Sequence, residues 1–343
     1  MRFLPALLCA AVCGAVSVAD ALDHRQLAVV VNTQDPLSIQ IGDYYAAQRG
    51  ILFQNVIKVG FPPGRTTLAR KEFETVKASV DEQAAPRVQA FALTWAAPYR
   101  VECMSITSAF AFGFDSSFCA EGCKPTRPSV YFDSTARFPF AQQRLRPTMA
   151  IAAASFEQAK ALIDRGVESD GSFPRGTAYL LSTSDAARNV RSALFPLAQR
   201  VLRRGRVNTH VLQQDTLRDA NDVLFYFTGR TNVEGLDTLT FVPGAVADHL
   251  TSAGGHLTSH DGQMSGQMSA LRWLEAGATG SYGTVEEPCN LVQKFPHPAV
   301  LAAHYLAGET LIEAYWKSVA MPGQGIFIGE PLAAPFRARV KER

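Results

Sequence analysis

Three side chains in the C-terminal half of the chain have the types needed for hydrolysis: His249, Ser252 and Glu287. An imidazole can accept a hydroxyl proton, and a carboxylate whose pKa is raised by desolvation can exchange protons with a substrate. Asp248 precedes His249, but neighbouring residues on an extended strand point to opposite faces, so the two do not line one pocket. We expect Asp248 to hydrogen-bond to backbone. We predict the other three as catalytic residues, with a structural role for each as the alternative.

A metal site is a weaker possibility in the same region. His256 and His260 are four residues apart, a spacing that brings two imidazoles together on one face of a helix, and Asp261 follows. The glycines around them disfavour a helix, so we expect a solvated loop and no metal. The glycines of 323–329 (GQGIFIG) do not form a dinucleotide-binding motif between a strand and a helix, and no cofactor is expected.

The N-terminus has the pattern of an export signal. Arg2 is followed by an apolar run from Phe3 to about Val18 and by Ala19-Asp20-Ala21, a small-x-small peptidase site. The run is shorter than the roughly 20 residues of a membrane span, which makes an uncleaved anchor the less favoured alternative. We therefore expect residues 1–21 to be a signal peptide cleaved near Ala21. The mature protein is expected to be periplasmic or secreted, with no stable membrane span.

Four cysteines remain after the signal: Cys103, Cys119, Cys123 and Cys289. An even number in an oxidising compartment predicts two disulfides. Three pairings are possible, and we expect Cys119 with Cys123 and Cys103 with Cys289. A cysteine nucleophile must be free and lowered in pKa, so a cysteine hydrolase that uses Cys289 is the alternative to this disulfide.

The positioning scaffold is predicted to be an α/β domain. Leu27 to Asn32 (LAVVVN) is a strand apolar on both faces, and it is followed by a helix to Arg49 that Gly50 ends. Repeats of this order predict a mostly parallel sheet with helices on both faces, in a single domain over residues 22–343. Between 98 and 147 the alternation fails, which predicts a loop-rich, disulfide-stapled insertion rich in cysteine and aromatic residues.

Ligands of open α/β sheets bind where strands end at the carboxyl edge. We predict that polar groups at these ends converge on a single rim and bind the ligand. The predicted binding residues are Asn32, Thr94, Trp95, Thr228, Arg230, Glu286 and Asn290. The formal net charge of +2 and the lack of a basic stripe argue against nucleic acid as a partner.

From Asp222 onward the order of elements resembles the caspase-like cysteine peptidases, in particular their gingipain-type branch. DVLFYFTG corresponds to the strand that ends in His-Gly in that fold, and FVPGAVADHLTS to the strand that ends in the nucleophilic cysteine. This chain has Gly229-Arg230 and His249 to Ser252 at those places. The resemblance therefore implies a caspase-like fold that lacks the His/Cys dyad.

Over its whole length the chain resembles an uncharacterised family of exported bacterial proteins associated with exosortase-type sorting systems. The shared segments are VVVNTQDPLSIQIGDYYAAQRGI, LTWAAPY, GAVADHLTS, GATGSYGTVEEP and GEPLAAPF. The resemblance implies a role on envelope or secreted material, with an exported protein or a polysaccharide as partner. The sequence thus predicts a binding protein or a hydrolase. A further alternative is a non-catalytic interaction module that uses the aromatic insertion around Phe110 to Phe140 as its contact surface.

Overall fold

A ten-stranded β-sheet lies at the centre of the structure, a computed structural model that describes residues 21–120, 122–258 and 266–338. Over these residues the strands, in chain order, are β1 (Leu27–Asn32), β2 (Val56–Val59), β3 (Thr67–Leu68), β4 (Ala90–Leu93), β5 (Arg100–Val101), β6 (Met104–Ser105), β7 (Thr148–Ala150), β8 (Thr177–Ser182), β9 (Asn208–Gln213), β10 (Val223–Thr228), β11 (Phe241–His249), β12 (Gly280–Thr284) and β13 (Gly325–Gly329). The strand order in the large sheet is β2-β1-β4-β7-β13-β12-β11-β10-β8-β9, and β3-β5-β6 form a separate small sheet.

Helices cover this sheet on both faces. They are α1 (Pro36–Arg49), α2 (Arg70–Gln83), α3 (Ile106–Phe112), α4 (Pro139–Gln143), α5 (Phe156–Ser169), α6 (Phe195–Arg204), α7 (Leu271–Glu275), α8 (Pro298–Leu306) and α9 (Leu311–Ser318). On β10, Phe225 contacts Tyr305 of α8, whereas the next residue, Tyr226, contacts Trp273 of α7. Successive side chains of a strand point to opposite faces, so α7 and α8 lie on opposite sides. The predicted α/β class is confirmed.

Local signals fix the first βα unit as expected. Asp35 accepts a hydrogen bond from the backbone of Leu37 at the start of α1, Pro36 occupies the first turn, and Gly50 ends the helix at a φ of 61°. Two later helices lack such a cap, since neither α6 nor α7 has a side-chain hydrogen bond at its N-terminus. A 3-10 helix from Asn189 to Leu194 precedes α6, and α7 begins only at Leu271.

The sheet consists of two parallel halves that run in opposite directions. The strands β2, β1, β4, β7 and β13 are mutually parallel, and so are β12, β11, β10, β8 and β9. The junction is antiparallel: Gly280 of β12 pairs with Gly329 of β13, and Thr284 pairs with Gly325. The carboxyl ends of the two halves therefore lie at opposite edges, and the expectation of a single rim is wrong.

Two disulfides form, as predicted, but the expected pairing is wrong. Cys103 is bonded to Cys119, and Cys123 is bonded to Cys289. After Cys103 the chain passes through α3 and a 3-10 helix (Ser116–Phe118) that returns Cys119 to within 5.7 Å of Cys103, measured between Cα atoms. Cys123 is thereby left to join segment 98–147 to the turn after β12. Among the described residues, no helix is long and apolar enough to cross a membrane.

Candidate functional site

The loops that follow β8, β10 and β11 meet at the carboxyl edge of the second half of the sheet. The hydroxyl of Thr183 donates to the backbone oxygen of Gly229 over 2.7 Å. Leu250 N donates to Thr228 O over 3.0 Å, while the side-chain oxygen of the buried Thr228 has no hydrogen-bond partner within the described structure. A Cβ on Gly229 would lie 2.0 Å from the backbone oxygen of Arg188, so the approach of these loops requires glycine.

A groove of about 420 Å³ opens at this edge, between the ends of β8 and β9. We call it the polar groove, and its lining residues are Ser182, Thr183, Ser184, Gln213, Gln214 and Asp215. Asp215 accepts hydrogen bonds from the backbone and the hydroxyl of Ser184, both at 2.7 Å, and pairs with Arg230 at 2.8 Å. The hydrogen bonds from Ser184 hold the pKa of Asp215 below its ordinary value. Every lining side chain is thus a hydroxyl, an amide or a carboxylate.

Beside the groove, Thr251 joins the loop after β11 to the loop after β8. Its hydroxyl donates to Oε1 of Gln267 over 2.5 Å and accepts from Nε of Arg188 over 3.2 Å. Arg188 also pairs with Asp185 at 3.1 Å. The charges of this part of the edge are therefore balanced, since each arginine has a carboxylate partner.

A buried ion pair lies beneath the edge. Arg191 and Asp248 are each 1% exposed and form a salt bridge, and Arg191 also donates to Thr228 O over 2.9 Å. Burial raises the pKa of Asp248, while the charge and hydrogen bond of Arg191 oppose the rise. Asp248 thus binds a side chain, and the expectation that it would bond to backbone is wrong.

His249 points to the other face, as strand geometry requires, and is 1% exposed. Its Nδ1 accepts from the indole Nε1–H of Trp273 over 2.9 Å, and its Nε2 lies 3.1 Å from Met268 O. A carbonyl can only accept, so the ring is neutral with its proton on Nε2. Burial lowers the pKa of His249 to about 3. Both nitrogens are therefore occupied by groups other than Ser252 and Glu287.

The other predicted catalytic groups lie near the end of β12 without contacting His249. Ser252 is half-buried, and its backbone oxygen accepts from Thr284 at 2.9 Å. Glu287 is exposed and accepts from the backbone of Cys289 at 2.8 Å. The sulfur of Cys289 is bonded to Cys123, so it is not a thiolate in this structure.

The remaining predicted binding residues are divided between the two edges. Glu286 pairs with Arg100 at 2.5 Å, and Asn290 is half-buried in the turn beyond it. At the opposite edge, the side-chain amide of Asn32 donates to Phe61 O over 3.0 Å. The hydroxyl of Thr94 contacts that of Ser38 at 2.6 Å, and Trp95 packs edge-on against Phe61 at 5.2 Å between ring centroids. Of the seven residues, only Thr228 and Arg230 lie beside the polar groove.

Sequence reasoning missed Ser184 and Asp215, which are hydrogen-bonded to each other in the lining of the groove. Both follow runs that are typical of strands, TAYLLS and the run ending at Gln213, so the strand-end rule applied to β8 and β9 would have found them. The metal alternative includes His260 and Asp261, which lie outside the described residues. His256 stacks on Tyr99, and its Nε2 lies 3.2 Å from Val285 O. Within the described ranges, no group of three or more His, Cys, Asp or Glu side chains could hold a metal.

Two solved structures are similar to this chain in overall path. The complex of pro- and mature domains of Porphyromonas gingivalis RgpB gives a TM-score of 0.46 at 10% identity, over 90% of this chain and 79% of that chain. A second structure, described only as a protease, gives a TM-score of 0.44 at 11% identity, over 93% of this chain and 80% of that chain. No family model and no curated protein matches. At this level of identity neither protein's activity is transferred to this chain.

Proposed function

We propose that this chain is an exported protein that binds a polar, hydroxyl-rich ligand, best represented by a polysaccharide, in the polar groove. The observation that carries the proposal is the lining of the groove. Hydroxyls and side-chain amides both donate and accept hydrogen bonds, as sugar hydroxyls do, and the carboxylate of Asp215 adds an acceptor with two oxygens. The paired arginines nearby leave no excess charge that would select an anion.

Binding without turnover is the form of the proposal that the contacts favour. The imidazole of His249 is buried and hydrogen-bonded at both nitrogens, and Cys289 is in a disulfide. A general base must be within hydrogen-bond reach of the proton it removes. Nδ1, the nitrogen of His249 that could accept a proton, is instead hydrogen-bonded to the indole N–H of Trp273, so it is not available to a substrate.

Export is supported by the two disulfides. Disulfides form and persist in oxidising compartments such as the periplasm or the extracellular medium. The second of them closes a separation of 166 residues, so it joins parts of the fold that are far apart in sequence. An envelope or secreted location is therefore part of the proposal.

The test is calorimetric titration of the oxidised mature protein with polysaccharide fragments of defined length. The double variant Gln213→Ala/Gln214→Ala removes two exposed amides from the groove, and Gln48→Ala removes an exposed amide from α1 in the other half of the sheet. We expect the double variant to bind at least about fivefold more weakly and Gln48→Ala to bind like the unmodified protein, because each lost hydrogen bond costs about 0.5–1.5 kcal/mol.

Two results would contradict the proposal. Equal affinity of all three proteins would place the ligand elsewhere. Release of shortened saccharide products during the titration would show a hydrolase instead of a binding protein.

A further inference from the structure

The backbone nitrogen of Leu22 lies at a buried carboxylate. It is 3.2 Å from Oε2 of Glu313 in α9, and both residues are 1% exposed. The same oxygen accepts from the backbone N–H of Thr310 at 3.0 Å and from its hydroxyl at 2.5 Å. Leu22 is thus joined directly to the capping box at the start of α9.

The three donors to Glu313 are all neutral. Lys317, a buried cation on the same helix, donates to Glu309 over 2.8 Å, and His304 pairs with Glu309 at 3.1 Å. Burial and the charge of Glu309 raise the pKa of Glu313, while the hydrogen bonds of Thr310 and the charge of Lys317 act in the opposite direction. A buried carboxylate with neutral donors alone is costly, because its charge is removed from water without a compensating charge.

We propose that the bond between Ala21 and Leu22 is the processing site of this chain, and that the α-ammonium released on Leu22 forms a buried ion pair with Glu313. The proposal rests on export, because the peptidase that would recognise Ala19-Asp20-Ala21 acts during export. Hydrolysis breaks the C–N bond between the two residues. The oxygen of water bonds to the carbonyl carbon of Ala21 to give a carboxylate. Both hydrogens of water are transferred to the Leu22 nitrogen, which becomes –NH3+.

The position of Leu22 is held from its other side as well. Nη2 of Arg337 donates to Leu22 O over 3.1 Å, and Nε of the same residue donates to Gly308 O over 3.2 Å. An adjoining cavity of about 260 Å³, lined in part by Leu22, Asp23 and Arg337, leaves room for the hydration of an ammonium group. The backbone of Leu22 is therefore already held next to Glu313 by contacts that do not depend on the charge of its nitrogen.

The register of cleavage matters at this site. One residue of extended chain spans about 3.3–3.6 Å, so a chain that begins at Ala21 places its ammonium beyond contact distance of Glu313 and returns an amide to that position. Only a chain that begins at Leu22 brings the new charge to the carboxylate. Processing at this bond would thus replace a neutral donor by a cation without moving the backbone.

The first measurement is the N-terminal residue of the protein recovered after export from cells that synthesise the full chain. Edman sequencing and intact mass should give Leu22. Four proteins are then produced as fusions, and the fusion partner is removed so that no extra residue remains at the N-terminus. Two of them begin at Leu22 and two at Ala21. One protein of each pair has Glu313 and the other has Glu313→Gln, which keeps a hydrogen-bond acceptor for Thr310.

We expect the Leu22 chain to unfold in urea at least tenfold more slowly than the Ala21 chain, and Glu313→Gln to remove this difference. Glu157→Gln is the matched control, because Glu157 is an exposed glutamate in the first turn of α5, so it should change both chains by the same factor. A mature N-terminus other than Leu22 would overturn the proposal. An equal effect of Glu313→Gln on the unfolding rates of the Leu22 and Ala21 chains would also overturn it. Neither measurement uses a ligand, so the result is independent of the polar groove.

Discussion

The indole nitrogen of Trp273 donates a hydrogen bond to Nδ1 of His249 over 2.9 Å, while the opposite ring nitrogen lies 3.1 Å from Met268 O. This pair of contacts joins the end of β11 to the segment that begins α7. It also requires a neutral imidazole, because in a protonated ring Nδ1 would carry a hydrogen and could not accept from the indole N–H. The histidine that sequence reasoning selected for catalysis thus has a well-defined structural environment.

The neutrality of His249 predicts acid sensitivity. The pKa of His249 is about 3 in the folded protein and about 6.5 in an unfolded chain. The contribution of the neutral imidazole to the free energy of unfolding is therefore fully present above about pH 6.5. It is lost as the pH falls toward 3, at about 1.4 kcal/mol per pH unit. Urea unfolding of His249→Gln should show a shallower loss of stability between pH 7 and pH 4.5 than the unmodified protein. His210→Gln, at an exposed position of β9, is the control, and an unchanged slope in His249→Gln would contradict the prediction.

The ion pair between Arg191 and Asp248 predicts a large effect of removing one partner. Asp248→Asn leaves the guanidinium of Arg191 buried without its counter-charge, which costs about 3–5 kcal/mol of unfolding free energy. Glu74→Gln removes the carboxylate of an exposed pair with Arg70, for which about 0.2–1 kcal/mol is expected. Urea titrations of both variants at pH 7 test the contrast. Similar losses in the two variants would show that the Arg191–Asp248 pair contributes no more than a surface contact.

The strands and α1 could be predicted because their signals are local. The LAVVVN run, the cap at Asp35 and the stop at Gly50 act within a few residues of the elements they define. The direction of β13 had no such signal. It is reached from β12 through α8 and α9, and a connection of that length permits either direction, so the antiparallel junction was not visible in the periodicity.

The candidate site was predicted only in part, for the same reason. The rule that ligands bind at strand ends selected Thr228 and Arg230, which lie beside the polar groove, but it also selected Asn32 and Thr94, which the antiparallel junction places at the other edge. The apolar spacing of Met264, Met268, Leu271 and Leu274 predicts a helix that begins at Gln263 and ends at Gly277. Gly266 has a φ of 65°, which is incompatible with a helix there, and its neighbours 263–265 lie outside the described residues.

The two disulfides predict different losses of stability. In the chain-entropy model, the separation of 166 residues between Cys123 and Cys289 corresponds to about 5 kcal/mol, and the separation of 16 between Cys103 and Cys119 to about 3 kcal/mol. The double variant Cys123→Ser/Cys289→Ser should therefore be the less stable of the two paired removals in urea. Thiol titration of the unreduced mature protein should find no reactive cysteine. A free thiol at Cys289 would instead restore the cysteine hydrolase as an alternative.

The close approach of Gly229 to the backbone of Arg188 leads us to predict that the polar groove depends on this contact. A Cβ at this position would lie 2.0 Å from O and 2.5 Å from C of Arg188, and backbone atoms cannot relieve the overlap by changing a rotamer. Gly229→Ala should therefore displace the loop that carries Ser184 and Arg188, lowering both stability and affinity for the groove ligand. Gly60→Ala is the matched control, because its nearest contact, at 3.2 Å, is the end of the Gln34 side chain, which can move away. Measured by calorimetry on folded protein, Gly229→Ala should lose at least tenfold in affinity while Gly60→Ala binds normally. Retention of full affinity in Gly229→Ala would show that the ligand does not depend on the loops after β8 and β10.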